Sequence, residues 1–113
     1  VLISPMQGLK EHLNIFAGIA GMCSERLVRL AARLQQGIDI PLQQLCVVHA
    51  ASRLQASGLL VHDGGDHLIP HAGSRAIAAR WSDVQLMTTR GLGHRRILAS
   101  PAVHQRITQF LEQ

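Results

Sequence analysis

The chain has 113 residues, 47% of them hydrophobic and 16% charged, a composition that excludes an intrinsically disordered chain and a length that suits one folded unit rather than two. Eleven Lys and Arg against seven Asp and Glu give a net charge of +4. Residues 1–56 carry five basic and three acidic side chains and residues 57–113 six and four, so no basic block marks a nucleic-acid surface.

The opening Val1-Leu2-Ile3 reads as the end of a buried strand already under way before the first residue, which leads us to expect part of a longer domain. Ser4-Pro5 stops it, because Pro donates nothing to a ladder. From Gly8 the period changes: Leu9, Leu13, Phe16, Ala20, Cys23, Leu27, Leu30 and Leu34 alternate steps of four and three and keep one apolar stripe on a helix. Gly18 and Gly21 interrupt it and Ser24 can cap a fresh start, so we expect two helices, 8–20 and 24–36, with Gly37 as the stop. Cys23 and Cys46 stand outside any CxxC pair and are read as small buried hydrophobes rather than zinc ligands.

Residues 38–57 predict a short helix and a loop. Gly58-Leu59-Leu60-Val61-His62 is an apolar run of the kind found in strands covered on both faces, and Asp63-Gly64-Gly65-Asp66 is turn chemistry. A short helix over 72–81, a strand over 84–88 and a Gly-rich loop from Thr89 to His94 follow. Ser100-Pro101 then supplies a cap and a first-turn Pro for a last helix presenting Val103, Ile107, Phe110 and Leu111. This order predicts an α/β fold, a three-layer αβα arrangement of parallel strands with right-handed crossovers. With no apolar run of membrane-spanning length, no signal-peptide pattern and few aromatics, a cytoplasmic protein without membrane or nucleic-acid partners is expected.

In open parallel sheets reactive groups gather at the carboxyl ends of the strands. The first such loop holds His62, Asp63, Asp66, His67 and His71, and the second holds His94 with Arg95 and Arg96 behind it. The segment 59–98, with its LLVHDGGDHLIP and GLGH stretches, resembles the C-terminal part of an α/β-hydrolase fold enzyme. In that family an Asp precedes a Val/Ile-Pro after the penultimate strand, and a Gly-His pair follows the last one. The matching residues are Asp66, four before Pro70, and His94, directly after Gly93.

The resemblance implies that residues 1–113 are one unit, the C-terminal portion of an α/β-hydrolase domain, with its last three strands. Residues 58–113 would carry acid and His, and residues 8–36 would lie where these enzymes often insert a cap. It further implies a hydrolase of a small-molecule carboxylic ester or thioester that uses no cofactor. His94 would be the general base, and Asp66 would orient its ring. The family's GxSxG nucleophile turn is absent from these residues, so the nucleophile is expected upstream and the chain alone is expected to be inactive. Gly21-Met22-Cys23-Ser24-Glu25 begins like a cysteine variant of that turn but ends on Glu, and Cys23 fits the helical stripe.

Plainer readings stand beside these. Asp63 is the rival acid, read as a loop cap; Arg95 and Arg96 are read as solvated or paired with carboxylates, and Ser100 as a helix cap. The run from His62 to His67 comes one residue short of the HxHxDH ligand set of binuclear zinc hydrolases, with Gly64 where a His belongs, so a divalent-metal hydrolase is one alternative. A non-enzymatic basic binding module is the other.

Overall fold

A computed structural model describes all 113 residues. Its three strands, β1 (Leu2–Ile3), β2 (Gly58–Asp63) and β3 (Val84–Thr89), form one parallel sheet in the order β1-β2-β3. The central place of β2 explains its unbroken apolar run, since every one of its residues is buried. Successive side chains of a strand point to opposite faces. Leu60 therefore packs with Ala51 of α3 (Val47–Ala51), Ile77 of α4 (His71–Ala78) and Trp81, while Leu59 and Val61 pack on the other face with Ile97 and with Val103 of α6 (Pro101–Leu111). Each fully buried Leu, Ile or Val contributes about 1.5–3 kcal/mol of apolar transfer. The result is the expected α/β arrangement, with helices on both faces.

Gly58 is fixed by packing. A Cβ there would overlap the indole of Trp81, whose Nε1–H donates to the Ala56 carbonyl at 2.8 Å. The strand therefore enters the sheet against an aromatic wall that only glycine admits.

Between β1 and β2 run α1 (Leu9–Ile19) and α2 (Ser24–Gln36), close to the expected ranges. The stripe that predicts them is less buried than its pattern suggests: Phe16 is 49% exposed, and α2 has no buried residue. The helix α2 packs chiefly on α1 and contributes nothing to the cores on either face of the sheet. Three expectations are corrected in this region. Cys23 is exposed and precedes α2 as its cap residue, so Ser24 is the first helical residue instead of the cap. Cys46 is half-buried, with its thiol directed at the Gln7 carbonyl at 3.4 Å. The stretch 38–57 contains a 3₁₀ turn at Leu42–Gln44 and then α3, tied back to α1 by an antiparallel bridge between Gly8 and Cys46.

Near the other end, the expected loop 89–94 closes early. α5 (Gly93–Arg96) starts at Gly93 and carries His94. No helix is long and apolar enough to cross a membrane.

Candidate functional site

β2 ends at Asp63, and the chain turns through Gly64-Gly65 with the Gly64 N–H donating to the Thr89 carbonyl at 2.9 Å. Asp66 follows, only 8% exposed. Its Oδ1 accepts the backbone N–H groups of Leu68 and Ile69, each at 2.9 Å, and its Oδ2 accepts Nδ1–H of His94 at 2.8 Å. Burial opposes ionisation of this carboxyl, but the N–H of Ile69, the His94 ring and the N–H of Leu68 together outweigh it and hold its pKa below the usual carboxylate value. Asp66 is thus a buried anion whose acceptors are already filled and aimed.

His94 reaches it from the end of β3. The turn that delivers it needs left-handed backbone at Gly91 (φ 78°) and Gly93 (φ 64°), a conformation glycine takes without steric cost. Arg96 braces this turn, donating to the carbonyls of Leu92 at 3.1 Å and Gly91 at 2.7 Å, a backbone role beyond the solvated one expected of it. With Nδ1–H committed to Asp66 and the side chain 35% exposed, Nε2 is the ring nitrogen left to exchange a proton with another group.

Asp63, the rival acid, serves the turn instead. It is fully buried, its Oδ1 accepts Gly65 N–H at 2.9 Å, and its Oδ2 accepts Thr89 Oγ1–H at 2.8 Å and Leu92 N–H at 3.0 Å. Burial raises its pKa, yet these bonds, with a further one from Gly93 N–H, lower it to about 2. Asp63 therefore ties the start of the acid loop to the turn that carries His94.

His62 points the other way, toward α4. Its Nε2–H donates to the Ile69 carbonyl at 3.0 Å and lies 3.3 Å from Asp66 Oδ2, while Nδ1 meets Ser74 Oγ at 2.6 Å. The His71 ring stands edge-on to it, with centroids 5.4 Å apart, and its Nε2 meets Thr88 Oγ1 at 3.0 Å. Burial, then the nearby His62 and Arg75, lower the His71 pKa.

The metal-ligand reading of residues 62–67 is not met. His62 and Asp63, as strand neighbours, face opposite sides of the sheet, His67 is exposed, and no three His, Cys, Asp or Glu side chains converge as a metal-binding group. Cys23, exposed on the α1–α2 hairpin, likewise fails as an apolar core position.

Asp66 and His94 stand out in the sequence on neighbouring loops, whereas Thr89, Ser74 and the supporting place of His62 do not. The pairing of Asp63 with Thr89 across β2 and β3 is the signal for the first. For Ser74, the signal is the alternation that sends His62 toward α4. Beside the acid loop, Met6 and Gln7 from the β1–α1 connection, His12 of α1, and Ile69, Pro70 and Gly73 line part of a cavity of about 220 Å³.

A family model described as TAP-like protein matches residues 34–113, a stretch that includes both β2 and β3 and every side chain in the Asp66–His94 network. No curated protein matches the chain.

Proposed function

We propose that this chain, which belongs to the TAP-like protein family of α/β-hydrolases, carries the acid and the base of a nucleophile-acid-His triad that hydrolyses a small-molecule carboxylic ester or thioester. The observation that carries this reading is the 2.8 Å bond from His94 Nδ1–H to a buried, otherwise satisfied Asp66 carboxylate at the carboxyl end of adjacent parallel strands. A hydroxyl is a poor nucleophile at neutral pH. In the proposed reaction His94 Nε2 takes its proton as it attacks the carbonyl carbon, Asp66 stabilises the resulting imidazolium and fixes its tautomer, and Nε2 returns the proton to the leaving group. Water then repeats the cycle on the acyl intermediate. The absence of a GxSxG turn from residues 1–113 supports a nucleophile supplied by sequence outside them.

The helices α1 and α2 are proposed as a cap. Their place between β1 and β2, the lack of buried residues on α2 and the cavity that α1 shares with the acid loop support that role. The reaction is tested by His94→Ala in the full-length protein. The variant should fold normally and lose about 1,000-fold or more in ester turnover, as expected when a triad loses its base. Turnover near the wild-type rate would rule the assignment out.

A further inference from the structure

We infer that His62 is a positioning residue for the acid–base pair: a second, fully buried imidazole that locks the Asp66 carboxylate in the orientation His94 needs. The inference rests on the catalytic reading for its consequence in turnover, but its geometric content stands apart from it.

Two hydrogen bonds and one close polar contact make the lock. Ile69 lends its N–H to Asp66 Oδ1 at 2.9 Å and its carbonyl to His62 Nε2–H at 3.0 Å, while the same Nε2–H lies 3.3 Å from Asp66 Oδ2. His62, Ile69 and Asp66 thereby close a ring of contacts around the carboxylate. A carbonyl oxygen only accepts, so Nε2 must carry the hydrogen. In the neutral ring the Ser74 hydroxyl then donates to Nδ1 at 2.6 Å. The Ile69 carbonyl thus selects the tautomer of His62, Ser74 fills its other ring nitrogen, and Nε2 stands beside the oxygen that receives Nδ1–H of His94.

Burial gives this arrangement its force. His62 and Ser74 are both 0% exposed, so no water can replace a lost partner without opening the core. If His62 were removed, the Ile69 carbonyl and the Ser74 hydroxyl would lose partners and Asp66 Oδ2 would keep only His94. The carboxylate could then rotate about its Cβ–Cγ bond, away from Nδ1. His94 would be free to move its hydrogen to Nε2, where a base needs a lone pair. A residue that merely filled the core would leave the His94 tautomer untouched.

The test uses His62→Leu, which removes the donor while keeping an apolar volume, and His62→Gln, whose terminal amide can restore an N–H toward Ile69 and Asp66. Ring ¹⁵N shifts of His94 in the full-length protein report its tautomer without any substrate. In His62→Leu the Nδ1–H form of His94 should decline, with kcat for a chromogenic ester down roughly 10- to 100-fold, the range for loss of an outer partner that orients an imidazole. KM should stay within about twofold, because no substrate contact is proposed for His62. His62→Gln should recover most of both signals. A folded His62→Leu in which His94 keeps its Nδ1–H form overturns the inference. Should His62→Leu not fold, His62→Met decides, since its flexible apolar chain fills the same space and likewise carries no donor: a decline of the Nδ1–H form of His94 supports the lock, and an unchanged ring overturns it. A wild-type protein without esterase activity would defeat the hydrolase reading while leaving the ring measurement to judge His62.

Discussion

Replacing Asp66 with Asn changes one atom and reverses one hydrogen bond. The carboxamide has a single acceptor oxygen, and the two backbone N–H groups of Leu68 and Ile69, both 2.9 Å from Oδ1, compete for it with the two imidazoles beside Oδ2. Satisfying the backbone pair keeps the loop folded. It leaves the amide NH₂ facing Nδ1–H of His94 at 2.8 Å and Nε2–H of His62 at 3.3 Å. His62 retains the Ile69 carbonyl as acceptor, whereas His94 can relieve the donor–donor contact only by moving its hydrogen to Nε2. The base is then in the wrong tautomer. The expected loss is about 10⁴-fold in kcat, or roughly 5.5 kcal/mol of transition-state stabilisation. Fold stability should fall by only about 1–3 kcal/mol, the cost of the charge-assisted bond at Oδ2. Steady-state hydrolysis of a chromogenic ester by the full-length variant, alongside urea unfolding, separates the two quantities. A folded Asp66→Asn enzyme with kcat within tenfold of wild type would refute the reasoning.

Three further outcomes follow from the packing and the buried charges. Gly58→Ala drives a methyl into the indole of Trp81 and endangers its bond to Ala56, so urea unfolding monitored by the fluorescence of this only tryptophan should show about 2–4 kcal/mol of destabilisation; an unchanged midpoint would contradict the packing. Ser4 holds a left-handed backbone at φ 45° and a buried hydroxyl without a partner, so Ser4→Gly should stabilise the fold by about 1 kcal/mol, and a lowered melting temperature would argue against that strain. Asp63 has its pKa lowered from 3.8 to about 2, which means the unfolded chain binds the proton first: the stability it contributes is complete above about pH 4 and is lost as pH falls toward 2. The urea midpoint should decline across that window and do so less steeply in Asp63→Asn; equal slopes in the two proteins would disprove the linkage.

The elements of this fold were legible wherever burial imposed a period. The doubly covered β2 shows itself as an apolar run, and Ser100-Pro101 marks the start of α6, although the Ser100 side chain makes no capping bond. The α1–α2 hairpin misled the burial reading because a helix pair yields the same stripe whether it rests on a sheet or, as here, largely on itself. Asp66 and His94 were legible because each sits beside turn residues with a backbone reason to be there, Gly65 before one and Gly93 before the other. The supports were not. Ser74 and Thr89 are ordinary helix and strand residues in sequence, and only the register of β2 against β3 and α4 assigns them their partners. The run from His62 to His67 looked like a ligand set for a related reason: spacing along a chain says nothing of the alternation that sends neighbouring side chains apart.

That alternation has a mechanical consequence. Two loops 28 residues apart in sequence are moored to adjacent residues of one strand, His62 on one side and Asp63 on the other. A twist of β2 about its axis carries both moorings with it, so the acid and the base ride as arms of a single lever. Their separation is stiff, and the soft coordinate of the site is the approach of the pair, as one body, to whatever third group it serves.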